Sequence, residues 1–398
     1  MNPEPKAPYR WVMLTLLCLL YICFGIVARS IFPLVTPILS DLGLSYSQMG
    51  LILGSWQMTY IVAALVAGTI LDRWGVRKSI FAGAVVIGLS ASLRYFSSGF
   101  TSMLIAVALF GLGGPMISIG GPKTISHWFD GPSRGSAMGI YTAGNWVGGL
   151  LALALTNSLV MPLVNNSWRR AFVVYGMTTF TIALLWLILA KGDKPGERSQ
   201  GLGIIDVFIN LVNIGNVRIL LVMGLLAFAI SHGFSSWLPK ILEDSGMSAS
   251  LAGWAAAISI AAGIPSILII PSTVPPSFRG RIVAIFAVLT AVNLVLVMVV
   301  SGYTLYINLA ILGFISAPFM AMLLLILMDI PGVEARHMGS AGGMFFCVAE
   351  IGGFTGPFIM GILVDTTGTF VTGAWFLASL CLAMAGLAAL ITQRQVSN

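Results

Sequence analysis

Charge is scarce in this sequence: of 398 residues only 8% are Asp, Glu, Lys or Arg. A water-soluble domain carries roughly 25%, because it must cover its surface with groups that water solvates. That shortage excludes a soluble enzyme, a nucleic-acid-binding module and a disordered scaffold. Histidine and cysteine are equally thin, with three and four residues. Cys18, Cys23, Cys347 and Cys381 all lie inside apolar runs without ligand spacing. Such thiols act as small packing residues, and neither a metal site nor any other cofactor is expected.

Apolar residues fill the space: 58% of the chain is hydrophobic, and the mean hydropathy is +0.98. A membrane helix needs about 20 mainly apolar residues. Twelve segments qualify: 11–39, 47–71, 79–97, 101–127, 135–162, 169–190, 217–239, 249–271, 282–301, 304–328, 338–364 and 371–391. A transmembrane barrel would need sustained alternation over segments of about 10 residues, which is missing. The first segment is too long for a signal-peptide core and no small-residue cleavage site stands out, so it is expected to be retained. The chain therefore reads as an all-α integral membrane protein of 12 transmembrane helices.

The net charge of +7 then resolves into topology. With the N-terminus in the cytoplasm, fourteen basic residues fall on the cytoplasmic side and only Arg94, Arg169, Arg170 and Lys240 on the other. That is the positive-inside bias, and it predicts both termini in the cytoplasm and explains the basic character without nucleic acid. The long segment after helix six, near Lys191–Asn216, is expected to be cytoplasmic. Its apolar part, Ile204–Val212, is read as lying along the membrane interface.

The sequence also repeats itself. A shift of 203 aligns Asp41, Gly43, Ser45, Ser47 and Gly50 with Asp244, Gly246, Ser248, Ser250 and Gly253. A shift of 204 aligns Gly135, Ala137, Gly139, Gly148 and Gly149 with Gly339, Ala341, Gly343, Gly352 and Gly353. Two regions agreeing on an offset of about half the chain indicate duplication. The expected domains are a six-helix bundle at 1–190, a cytoplasmic linker at 191–216 and a second bundle at 217–398.

The loop between helices two and three carries Gly68, Asp72, Arg73, Gly75, Arg77 and Lys78. This pattern resembles the most diagnostic motif of the major facilitator superfamily, and the duplicated six-plus-six plan matches that family over the whole chain. The resemblance implies two pseudo-symmetric bundles rocking about a midplane site. Gly68 is expected to let helices approach, Gly75 to make the turn, and the three basic residues to hold the cytoplasmic face. Asp72 is expected at the N-terminal end of helix eleven near Gly339, locking the halves. The corresponding loop of the second half, Pro275–Arg281, lacks the acid. The arginine frequent in helix four of the family is absent around Ala106–Phe110, so the proton role placed there does not transfer. Arg29 followed by Pro33 in the first helix is similar to cyanate/nitroimidazole-type and related small-anion permeases.

An ionisable side chain at bilayer depth costs about 2.5–3.5 kcal/mol on insertion scales and asks for a purpose. Arg29 is permanently charged and suits bidentate recognition of a carboxylate or oxyanion. It aligns at offset 203 with His232, which can donate a hydrogen bond or carry a proton. Glu350, in the middle of helix eleven, must pair with a cation or take up a proton, which marks it as the candidate for proton coupling or as the partner that Arg29 exchanges for substrate. Lys123, near the cytoplasmic end of helix four, is a further candidate for substrate contact. Trp56, Gln57, Tyr60, Tyr141, Asn145, Trp146 and Trp237 are expected to complete the cavity.

These residues predict a secondary active transporter, not an enzyme, moving a small organic or inorganic anion by alternating access. Proton-coupled symport or anion exchange would supply the driving force. The rival reading is a multidrug or metabolite exporter that recognises lipophilic or cationic compounds through aromatic residues and Glu350. A monomer in the cytoplasmic (inner) membrane of a bacterium is expected, with lipid, a small-molecule substrate and protons as its partners.

Overall fold

The computed structural model describes residues 9–191, 212–330, 333 and 338–396, with side-chain surroundings left out at 338–340 and 392–396. Most of the expected linker and its interfacial stretch 204–212 lie outside the described residues. Twelve helices among those described are long and apolar enough to cross a membrane. They are α1 (Tyr9–Leu42), α2 (Tyr46–Trp74), α3 (Val76–Phe96), α4 (Phe100–Trp128), α5 (Pro132–Leu163) and α6 (Trp168–Leu189). The second set is α7 (Gly215–Asp244), α8 (Ala249–Thr273), α9 (Pro276–Leu296), α10 (Gly302–Asp329), α11 (Ala341–Thr367) and α12 (Phe370–Ile391).

The chain divides into two compact units, and their boundaries differ slightly from those expected at 190 and 217. The first holds α1, α3–α6 and most of α2, together with Met247–Trp254 at the start of α8; the second holds α7, α9–α12 and the rest of α8, together with Ser45–Gly54 from the start of α2. In the first unit α1 packs on α5 and α6, and α3 on α6. In the second, α7 packs on α11 and α12, and α9 on α12. These are the same pairings displaced by six helices.

The repeat holds at the level of single atoms. Gly148 of α5 sits so close to the Ile22 carbonyl of α1 that an added Cβ would overlap it; Gly352 of α11 stands in the same relation to Leu225 of α7. Ile22 and Leu225 are 203 apart, Gly148 and Gly352 204 apart. Without a hydrophobic force between helices in lipid, close backbone approach at small residues supplies the packing. The glycines of the first repeat region end helices: Gly43 and Gly246 have φ of 59° and 96°, a left-handed conformation that costs a side-chain-bearing residue energy. The serines two positions on begin the next helices. Ser45 Oγ accepts from the Gln48 N–H at 3.2 Å, and Ser248 Oγ from Leu251 N–H at 3.4 Å, satisfying amides that a helix start leaves open.

α1 is broken. Its α-helical run ends at Arg29, a short 3-10 turn spans Phe32–Leu34, and helix resumes over Val35–Leu42. Pro33 has no N–H to donate, so the helical ladder cannot pass through it. The break is tied down on several sides. Asn157 Nδ2 donates to the Pro33 carbonyl at 2.9 Å, from a π-helical turn at Thr156–Val160. Beyond it, Asp41 accepts from the Trp168 indole N–H at 3.1 Å and pairs with Arg169.

Candidate functional site

Arg29 is the last residue of the helical run of α1, half-buried against α5. Its Nη1 donates to Asn145 Oδ1 at 2.9 Å and lies 3.4 Å from the Asn145 carbonyl oxygen. The guanidinium carbon is 5.8 Å from the centre of the Trp146 ring. Gly149 makes room for the stem: an added Cβ would lie 2.6 Å from Arg29 Cδ. Three of the expected residues, Arg29, Asn145 and Trp146, are thus brought together. Among the described residues Arg29 forms no ion pair, so its charge is oriented by an amide and a ring and neutralised by neither.

A second group of expected residues lies in the same unit. Trp56 packs 5.3 Å from Phe110 and 6.0 Å from Tyr60, edge to face, and Tyr60 Oη shares a 2.7 Å hydrogen bond with Ser118 Oγ. Gln57 is buried. Tyr21, which the sequence did not single out, stacks on Tyr141 at 4.4 Å with the planes 6° apart.

In the second unit, Glu350 of α11 is 7% exposed, and its Oε2 is buried with no hydrogen-bond partner among the described residues. His232 of α7 lies 5.1 Å from the Phe228 ring, on the helix that packs against α11.

Four expectations require correction. Trp237 is 0% exposed, and its indole N–H donates to the Pro357 carbonyl at 3.0 Å; a ring closed off on every side packs helices and does not line a cavity. Tyr141 is likewise buried, with its hydroxyl donating to the Ile117 carbonyl at 2.7 Å. Lys123 forms an ion pair with Asp72, because the C-terminal ends of α4 and α2 meet there, so it belongs with the motif loop and not with a substrate site. Gly68 has nothing within 4 Å of an added Cβ among the described residues; Ala63, Ala67 and Leu71 form the buried face of that helix instead.

The rest of the motif is legible in the geometry. Gly75 has φ of 77°, as a turn between α2 and α3 requires. Arg77 donates through Nε at 3.1 Å and through Nη2 to the Leu187 carbonyl, and Trp186 returns a 3.0 Å hydrogen bond to the Arg77 carbonyl. Cation and open carbonyls meet at the C-terminal end of α6, where the helix dipole favours positive charge. Arg73 and Lys78 are exposed. The expected seat of Asp72 beside Gly339 falls on a residue whose surroundings lie outside the described residues.

Two charged residues escaped the sequence reading. Arg94, counted on the outer side at the end of the segment 79–97, is 1% exposed at the end of α3. Asp365 of α11 accepts from the N–H groups of Tyr46 and Ser47 at 2.9 and 2.8 Å, capping the start of α2. Only proximity in space identifies either. No group of three or more His, Cys, Asp or Glu assembles among the described residues.

Comparison with known proteins follows the same lines. The family model for the Major Facilitator Superfamily matches residues 17–357. The chain is 27% identical to the hexuronate transporter of Bacillus subtilis (strain 168), covering 90% of this chain and 89% of that protein. It is 24% identical to the probable galactarate/D-glucarate transporter GudP of the same organism, covering 83% and 80%. Among solved structures, the nucleoside transporter NupG superposes with a TM-score of 0.77 over 98% of this chain and 99% of that one, at 13% identity, a likeness of fold.

Proposed function

The chain belongs to the major facilitator superfamily and is an integral membrane transporter, and we propose that it moves a small organic acid anion by alternating access, driven by protons or by anion exchange. The observation that carries this reading is Arg29: a cation within a membrane span, oriented by Asn145 and Trp146 and without a counter-ion among the described residues. A fixed guanidinium in a site of low dielectric is completed by a substrate carboxylate, which supplies both charge and two acceptor oxygens. Relatives named as a hexuronate transporter and a probable galactarate/D-glucarate transporter carry the names of carboxylates of that kind, which supports sugar acids as the substrates to test first. The same uncompensated charge disfavours the lipophilic-cation exporter, since a cationic drug would be repelled.

Glu350 is the proton site in this scheme. An ionised carboxylate without a partner is expensive in a buried position, and Oε2 has none among the described residues. Carrying a proton inward with a monoanion makes the loaded cycle electroneutral. Within the second unit His232 of α7 is the hydrogen-bonding candidate, and Trp56, Gln57 and Tyr60 shape the cavity wall of the first unit. The protein works as a monomer in the cytoplasmic (inner) membrane of a bacterium, with both termini in the cytoplasm.

The test is uptake into proteoliposomes of labelled D-galacturonate and D-glucarate, with ethidium as the cation control. Uptake of either acid, and none of ethidium, is expected. Arg29→Ala is expected to abolish it. Glu350→Gln is expected to retain exchange across the membrane while losing accumulation driven by an inward proton gradient. Ethidium transport without acid transport would overturn the anion reading; full gradient-driven uptake by Glu350→Gln would remove Glu350 from coupling.

A further inference from the structure

Arg94 is the most fully buried cation the structure describes, and nothing above uses it. Its Nη1 donates to the Val27 carbonyl of α1 at 3.3 Å and its Nη2 to Ser90 Oγ of its own helix at 3.4 Å. The guanidinium carbon stands 4.9 Å from the centre of the Phe172 ring of α6. Nε is buried without a hydrogen-bond partner, and no ion pair includes Arg94 among the described residues. A buried guanidinium held by long hydrogen bonds and a ring face contributes less to stability than a well-packed apolar side chain of its volume. Its presence therefore calls for a purpose other than holding α3, α1 and α6 together.

The Val27 carbonyl shows what that purpose is. It lies in the last turn of the helical run of α1, which ends at Arg29, so the break at Ser30–Leu34 leaves carbonyls of that turn without the usual amide donor four residues on. Val27 accepts instead from Ser30 Oγ at 3.2 Å and from Arg94. A cation at the C-terminal end of a helix also meets the negative end of its dipole. Val27 and Arg29 are two positions apart, about 200° around the helix. Arg94 thus reaches α1 from the side of α3 and α6, while Arg29 points to Asn145 and Trp146 on α5.

We infer that Arg94 is a positioning residue for anion binding: it caps the broken first helix from behind, fixing the turn that presents Arg29. It also adds a second fixed positive charge to the unit that holds Arg29. This rests on Arg29 being the anion-binding residue. Arg94 acts through the backbone and does not touch the substrate.

The test uses the full-length protein in proteoliposomes, with labelled D-galacturonate as the probe, and compares Arg94→Lys with Arg94→Gln. Lysine keeps a cation able to reach the carbonyl; glutamine keeps a polar side chain and loses the charge. Arg94→Gln is expected to raise KM at least tenfold with the maximal rate within threefold, and Arg94→Lys to restore KM to within threefold of the original protein. Amide hydrogen exchange over residues 26–34 is expected to be at least fivefold faster in Arg94→Gln and near normal in Arg94→Lys. Unchanged KM in Arg94→Gln overturns the inference, as does an equal loss of rate in both variants, which marks a structural cation only. If Arg29→Ala still transports the acid at full rate, the anion assignment of Arg29 has failed. The exchange measurement then decides the capping by itself, and unchanged exchange overturns that too.

Discussion

Asn145 holds Arg29 through its side-chain amide, and its neighbour Trp146 offers a ring face to the same guanidinium. A hydrogen bond to a charged group contributes about 1.5–3 kcal/mol, so Asn145→Ala is expected to weaken acid binding by roughly tenfold or more, at 1.4 kcal/mol per decade. Asn145→Asp is expected to be worse than Asn145→Ala, because a carboxylate there would pair with Arg29 and exclude the substrate anion. Concentration-dependent uptake of D-galacturonate by both variants measures this; equal KM in all three proteins would detach Asn145 from the site. Arg29 and Glu350 were legible in the sequence, since a charge inside an apolar run carries its cost wherever the helices go. Tyr141 and Trp237 were not: an aromatic residue on a membrane helix lines a cavity or packs a neighbour according to which face it occupies, and only the tertiary contacts say which.

Among the helices, glycine separates those that touch from those that do not. Gly148 and Gly352 lie against the carbonyls of Ile22 and Leu225, while Gly68 meets nothing within 4 Å among the described residues. Overpacking costs typically about 1–3 kcal/mol, and a backbone carbonyl cannot turn aside as a flexible side chain can. Gly148→Leu and Gly352→Leu are each expected to lower the thermal midpoint in detergent by several degrees, with Gly68→Leu near the original protein. A midpoint for Gly68→Leu as low as that of Gly148→Leu would mean that the approach at Gly68 matters after all. The start of α2 offers a smaller effect. Asp365 caps it by accepting from two amides, and losing a cap costs about 1 kcal/mol. Asp365→Ala is therefore expected to shift the midpoint modestly, and Asp365→Asn, which keeps an acceptor, by less.

For the whole molecule, topology is the most direct claim. Ser98, between α3 and α4, and Asp130, between α4 and α5, are both exposed and are expected on opposite sides of the membrane. In a protein lacking its four native cysteines, Ser98→Cys is expected to react with an impermeant maleimide on intact cells and Asp130→Cys only after permeabilisation. The reverse pattern would invert the orientation. Burying Arg94 removes one of the four basic residues counted on the outer side and leaves the positive-inside bias steeper.

Composition, hydropathy and the offset near 203 were enough to establish a twelve-helix membrane bundle built by duplication, because a membrane span must satisfy its backbone within one helix and therefore announces itself locally. The motif turn at Gly75 and the charge of Arg29 inside an apolar run were legible for the same reason: their requirements are local. Lys123 on Asp72, Arg94 on Val27 and the packing roles of Tyr141 and Trp237 were decided only in three dimensions. Each depends on the rotation of one helix against another, and in lipid that rotation is set by interhelical close packing, which leaves no periodic trace of polarity in the sequence.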